Sequence, residues 1–179
     1  MIYIGFDPGL NGCGIAAGRD SLMLAGYVPS DVEGTPGQRG IAAGEYAAAT
    51  LWWNVPDLGS ADVTVVVELM QVYRSSRQVN PKWLIALAAC AGAFAGTMRT
   101  RSAHRGRVCR VLTPQPREWK GTLDGDLMIE HIKRTLTAEE HKVCVMPSAV
   151  KTLGHNVYDA AGLYLWAAGR LGKKRVIHR

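Results

Sequence analysis

Asp7, Glu68 and Asp159 are the residues of this 179-residue sequence whose positions call for a chemical explanation. Asp7 closes the apolar run IYIGFD just before a Pro8-Gly9 turn, and Glu68 closes the β-branched run ADVTVVVE. Asp159 lies in NVYDAAGLYLWAAGRL, within the first turn of the helix that this segment predicts over 156–171. An unpaired carboxylate inside a sheet costs several kcal/mol of desolvation, so each acid needs a salt bridge, a cap or a bound cation. Singly, each has a plain account. Asp7 can cap the Pro8-Gly9 turn, Glu68 can pair with Arg74 or Arg77, and Asp159 can favour the positive end of a helix dipole. Brought together, three carboxylates repel one another and cannot all ionise comfortably without a cation. Hard oxygen donors with no nearby quartet of cysteine or histidine favour Mg²⁺ or Mn²⁺ over zinc.

The elements that must position these acids follow from periodicity and turn chemistry. Residues 2–7, 13–18 and 22–28 read as strands joined by PGLNG and GRDS, which makes an antiparallel meander. After the loop 31–37, QRGIAAGEYAAATLWWNV predicts a helix with Ile41, Tyr46, Leu51 and Trp52 facing inward. Residues 61–68 read as a strand covered on both faces. Pro81 suits the first turn of a helix over 81–99, whose small-residue face (Ala88, Gly92, Ala95, Gly96) permits close approach to the sheet or to a second helix. A fifth strand spans 106–113, PQPREWKG is an irregular connection or short helical turn, and a charged helix covers 125–137. MPSAVKTLGH is a loop, and the last helix offers Ala160, Leu163, Leu165, Trp166 and Ala167 for packing.

This order implies an α/β fold. The expectation is one domain over 1–179 with a five-stranded mixed sheet, a three-strand antiparallel meander followed by parallel strands, and helices on both faces. If the first and fourth strands are parallel neighbours, Asp7 and Glu68 emerge at the carboxyl edge of the sheet, where open α/β sheets place their sites. A helix packed across that edge adds Asp159.

Composition narrows the partners. A 47% hydrophobic content suits a globular core, and a formal charge of +6 favours polyanions. The basic residues gather in 74–77, in 99–107 and in a tail over about 170–179. Cys13, Cys90, Cys109 and Cys144 form no CxxC pair and read as small buried hydrophobes of a reducing compartment. No signal-like start is visible and no apolar segment reads as long enough to cross a bilayer, so a cytoplasmic protein with no membrane partner is expected.

Four segments, in order along nearly the whole chain, resemble the RuvC-type Holliday junction resolvases of the RNase H-like superfamily. IGFDPGLNGCGIA resembles their first strand and turn, VVVELMQVY the strand with their second acid, and HNVYDAAGLYLWA their closing helix. TPQPREWKG resembles the segment after the fifth strand, especially in phage-encoded relatives. The opening IGFDPG is also shared with actin-like ATPases, but those need two such lobes and this length holds one, so no nucleotide cofactor is expected.

The resemblance implies a metal-dependent, structure-selective endodeoxyribonuclease that nicks four-way DNA junctions symmetrically, in the cytoplasm of a bacterium or phage host. Asp7, Glu68 and Asp159 are carried over as ligands of two Mg²⁺ ions, with Mn²⁺ substituting and Asp7 bridging. Two such ions supply an activated water and stabilise the leaving 3′ oxygen of an in-line displacement, leaving 5′ phosphate and 3′ hydroxyl ends. Asn156 stands three residues before the last aspartate, where the family has a further acid or a histidine. Its amide oxygen can coordinate a hard cation but carries no charge, and His155 is a possible substitute. The start of the 125–137 helix, LDGDLM, lacks a lysine found in relatives, which leaves Lys120 as the candidate catalytic or phosphate-contacting base. Gly9, Gly12 and Gly14 allow a tight turn and a close backbone approach to phosphate. Gln71, Tyr73, Arg74, Arg77 and Lys82, together with Lys120, are the candidate DNA contacts. Tyr73 is either a wedge for the junction centre or a core tyrosine. Two symmetric nicks imply a C2 homodimer, with the helix 82–98 as part of the interface. Other branched DNA (flaps, forks) and RNA–DNA hybrids are alternative substrates on the same fold. A junction-binding module weakened in catalysis by Asn156 is a further alternative.

Overall fold

Ile2, Ile4 and Phe6 enter one hydrophobic cluster of the molecule, while Tyr3 packs against a second and Gly5 lies against the last helix. This is the two-residue alternation of a strand buried on both faces, and it divides the structure into layers. The computed structural model describes residues 1–9, 11–68, 80–147 and 153–171. The central strand is β1 (Ile2–Asp7), followed by β2 (Gly12–Gly18) and β3 (Leu22–Pro29). After helix α1 (Pro36–Asn54) come β4 (Val63–Val67), α2 (Pro81–His104) and β5 (Cys109–Leu112). The chain then forms the single turn α3 (Pro116–Trp119), α4 (Gly125–Thr135), α5 (Ala138–Lys142), β6 (Cys144–Val145) and α6 (Gly154–Ala167).

The sheet order is β5-β4-β1-β2-β3-β6. The β1-β2-β3 meander is antiparallel, and β4 and β5 add in parallel on the β1 side, as expected. The sheet has six strands where five are expected, because β6 pairs in parallel with β3 through Ala25↔Cys144 and Gly26↔Val145. A two-residue strand has no periodicity to read. The expected helix 125–137 also ends early: α4 stops at Thr135, and Thr137 opens α5 with a capping box to Glu140.

One face of the sheet carries α1 and α2, whose Ala47, Leu51, Cys90, Phe94 and Met98 join Ile4 and Phe6 in the first cluster. The Phe6 and Phe94 rings stack with centroids 3.8 Å apart. The expected inward face of α1 is corrected here. Ile41 and Tyr46 are 46% and 60% exposed, and the buried face is Gly40, Ala43, Gly44, Ala47, Ala48 and Leu51. Two of these positions admit only glycine, because a Cβ on Gly40 would stand 2.1 Å from the carbonyl oxygen of Ala86 in α2, and one on Gly44 2.2 Å from that of Cys90. The small residues of α2 do the reverse: Ala88, Gly92 and Gly96 are exposed, and the buried face is Ala86, Cys90, Phe94, Met98 and Ser102. The 24 residues of α2 are also long and apolar enough, by length and composition alone, to cross a membrane, contrary to the reading of the sequence.

The other face carries α6, with Met128 and Ile132 of α4 and Trp119 beside it in the second cluster. Helix α6 begins at Gly154, which puts Asn156 in its first turn and Asp159 in its second, one turn later than expected. Tyr164, which the sequence reading omits, is fully buried, while Trp166 is half-buried. All four cysteines are free thiols, Cys13 and Cys90 buried and the other two half-buried.

Candidate active site

The register of β1 and β4 brings the first two acids together. Phe6 pairs with Val67 in the parallel ladder, so Asp7 and Glu68, one step further, sit at the carboxyl ends of neighbouring strands. Their parity is that of Gly5 and Val66, the residues that face α6. Two glycines let that helix lie against the strands. A Cβ on Gly5 would stand 1.9 Å from the carbonyl oxygen of Ala160, and one on Gly14 would stand 1.9 Å from that of Asn156. Gly14 thus makes room for the helix that carries Asn156 and Asp159.

Lys120 completes the cluster from the far side. Its Nζ lies 3.2 Å from Oδ2 of Asp159 and 3.4 Å from Oε2 of Glu68, with the three side chains 16–19% exposed. The residue before it, Trp119, is anchored in the second cluster against Gly162 of α6, where a Cβ would collide with the indole at 2.5 Å. The ammonium also stands 4.5 Å from the Trp119 ring centroid. Trp119 and Gly162 are positioning residues that the sequence reading missed, and only their distance in space, across 43 residues of chain, reveals them.

The electrostatics show how crowded the charge is. Burial, and then the charges of Asp159 and Glu68, hold the Asp7 carboxyl well above the ordinary range. Glu68 is raised by burial, an effect that Lys120 partly offsets. Burial pulls Lys120 down, but Asp159 and Glu68 outweigh it and its ammonium is held above the usual lysine range. The two carboxylates thus favour the charged form of Lys120.

Asp7, Glu68, Lys120, Asn156 and Asp159 line one cavity of about 350 Å³, with His155 and Tyr27 at its walls. Tyr27 donates its hydroxyl to the carbonyl oxygen of Asn11 at 2.8 Å, which ties β3 to the turn after Asp7. Asn156 is 8% exposed and His155 is exposed. The donor set is three carboxylates and an amide, all hard oxygen, with one lysine ammonium standing between two of the carboxylates in the manner of a bound cation. This set suits Mg²⁺ or Mn²⁺. Among the described residues, no group of three or more His, Cys, Asp or Glu side chains is already arranged to hold a metal ion.

No protein-family model matches the chain, and no curated protein does. Solved structures do. Thermus thermophilus RuvC is similar over 94% of this chain and 95% of its own, at 16% identity and a TM-score of 0.53. T. thermophilus RuvC in complex with a Holliday junction substrate matches over 92% of this chain and 90% of its own, at 19% identity and a TM-score of 0.52. The yeast mitochondrial Holliday junction resolvase Ydc2 matches over 94% of this chain and 79% of its own, at 13% identity and a TM-score of 0.56. The chain has the RNase H-like fold of RuvC.

Within this fold, the structure gathers Asp7, Glu68, Lys120, Asn156 and Asp159 into one site. Lys82 stands apart, exposed in the first turn of α2, where its backbone N–H donates to the capping side chain of Asn80 at 3.0 Å. Gln71, Tyr73, Arg74 and Arg77 lie outside the described residues, as does most of the basic tail. Among the described residues Glu68 pairs with Lys120, and the pairing with Arg74 or Arg77 lies outside them.

Proposed function

We propose that the chain is a divalent-metal-dependent, structure-selective endodeoxyribonuclease that nicks four-way DNA junctions. The observation that carries this reading is the convergence of Asp7, Glu68, Asp159 and Asn156 on one cavity at the carboxyl edge of β1 and β4. The fold of RuvC and Ydc2, one of them solved with a Holliday junction substrate, supports branched DNA as the substrate class. The formal charge of +6 supports a polyanion.

Asp7, Glu68 and Asp159 would hold a pair of Mg²⁺ or Mn²⁺ ions, and the amide oxygen of Asn156 would complete the donor set. When bound, the ions supply an activated water and neutralise charge on the phosphate and its leaving oxygen. Lys120 screens the repulsion between Glu68 and Asp159 before substrate arrives and then offers its ammonium to the phosphate. No side-chain nucleophile takes part. Symmetric nicking is the work of a C2 homodimer, for which the exposed small-residue face of α2 is the candidate contact. Gln71, Tyr73, Arg74, Arg77 and Lys82 serve as DNA contacts.

The neutral Asn156 favours a second reading, a junction-binding module with weak catalysis. A cleavage assay on four-way, three-way, flap, linear and RNA–DNA substrates, with wild type beside Asp7→Asn, separates these. Wild type should nick the four-way junction only when Mg²⁺ or Mn²⁺ is present, and Asp7→Asn should bind it without cutting. Equal cutting by both proteins would overturn the assignment of Asp7, and binding without nicking by wild type would favour the second reading.

A further inference from the structure

A second cavity, of about 490 Å³, adjoins the acidic one, and Gly9 and Asn11 of the β1–β2 turn line both. Its remaining walls come from the N-terminal turns of α1 and α2, which contribute Arg39 and Trp83. The volume is that of pockets which enclose small molecules, about 300–1,000 Å³.

Three features make this lining suit an anion with a flat apolar group attached. Neither α1 nor α2 has an acidic residue in its first turn, so neither of these positive helix ends carries a compensating carboxylate of its own. Arg39 adds a half-buried guanidinium whose Nε is buried and, among the described residues, has no hydrogen-bond partner. Trp83 also lines the cavity and is 53% exposed, and it belongs to neither hydrophobic core. A guanidinium and helix termini recognise phosphate, and an exposed indole stacks on a base of any identity.

Building on the nuclease reading of the acidic cavity, we propose that this second cavity holds an unpaired nucleotide of the DNA strand beside the phosphate at the acidic site, its base against Trp83 and its phosphate on Arg39. The shared turn Gly9–Asn11 makes the two cavities consecutive stations along one strand.

The test is equilibrium binding to a labelled four-way junction by fluorescence anisotropy, in EDTA so that cleavage plays no part. Single abasic residues are scanned through the nucleotides flanking the branch point, against wild type, Trp83→Ala and Arg39→Gln. Trp53→Ala, at an 80% exposed position of α1 that lines neither cavity, is the control. Trp83→Ala should weaken binding about tenfold, the loss of one stacked base. One abasic position should weaken wild type by as much and leave Trp83→Ala unchanged. Arg39→Gln should weaken binding and lower the slope of log affinity on log salt by about 1. Trp53→Ala should bind as wild type does. The proposal is overturned if Trp83→Ala binds normally, or if no abasic position loses its effect in that variant. It is also overturned if thymidine monophosphate binds wild type through Trp83 while every abasic junction binds normally, the result of a site for free nucleotides. A wild type that binds this way but never cuts in Mg²⁺ would sink the nuclease reading alone.

Discussion

Lys120 donates to Asp159 across 3.2 Å and reaches Glu68 at 3.4 Å, so one ammonium holds the carboxyl end of a strand and the second turn of a helix. Asp7 lies beside them, its carboxyl raised by burial and by these same two acids. Positive charge is what this cluster lacks.

Replacing Lys120 by Met keeps the stem and removes the charge. The metal-free variant should lose about 1–3 kcal/mol, less than a fully buried pair costs, and its Tm should fall by several degrees. Millimolar MgCl₂ should then raise the Tm of Lys120→Met more than that of wild type, because a cation occupies carboxylates that the lysine no longer neutralises. Thermal unfolding with and without Mg²⁺ measures both, and an equal Mg²⁺ response in the two proteins would count against a shared ion.

The approach of α6 to the sheet depends on bare backbone at Gly14. A Cβ there would stand 1.9 Å from the carbonyl oxygen of Asn156 and 2.4 Å from its carbon, and neither can swing aside as a side chain would. Gly14→Ala should cost about 3 kcal/mol in denaturant unfolding and displace Asn156 and Asp159 enough to reduce cleavage. Gly96→Ala is the contrast, because nothing lies within 4 Å of its Cβ in α2. That change should stabilise the chain by up to about 1 kcal/mol.

The parts of this arrangement that were legible in the sequence are those that local pattern encodes. IYIGFD and ADVTVVVE announce strands by their β-branched and alternating residues, and parallel pairing then sets Asp7 beside Glu68. Features set by tertiary approach were not legible. Ile41 and Tyr46 look like core residues until α2 lies so close that only Gly40 and Gly44 fit between the helices. The two residues of β6 are too few to carry a period, and the TAEE capping box that ends the preceding helix was there to be read. Trp119 and Gly162 are complementary only once α3 and α6 pack, so nothing local marks them. The cavity of Arg39 and Trp83 is likewise built from two helix starts far apart in the chain.

Glu140 predicts an acid-sensitive stability away from the site. It is 2% exposed, accepts from the backbone N–H of Leu22 at 2.6 Å, and receives both arms of Arg170, Nη2 to Oε2 at 2.7 Å. The Arg170 bonds chiefly, with the N–H groups of Thr137 and Leu22, lower its carboxyl from 4.5 to about 2. A folded value below the unfolded one stabilises the chain fully above pH ~4.5, and that contribution fades as pH falls toward about 2. The shift corresponds to about 3 kcal/mol at neutral pH. Urea unfolding of wild type should therefore weaken steeply between these limits. Glu140→Gln should be less stable at pH 7 and lack much of the slope; an unchanged slope would remove Glu140 as its source.

Asn156 offers the sharpest test of what the acidic cavity holds. Its side chain is nearly buried at the wall of a cavity that already contains three carboxylates. Asn156→Asp adds a fourth at almost the same volume. Without metal, the extra charge joins three carboxylates that share a single lysine among the residues lining that cavity, so the variant should unfold at lower temperature than wild type. With metal, the same charge becomes an additional hard ligand, so the variant should reach half-maximal junction cleavage at a lower Mg²⁺ concentration. Opposite signs in the two measurements are what an ion site demands. If Asn156→Asp destabilises the protein equally with and without Mg²⁺ and leaves the metal dependence of cleavage unchanged, the amide is outside the donor set and its role is to seat α6 on the β1–β2 turn.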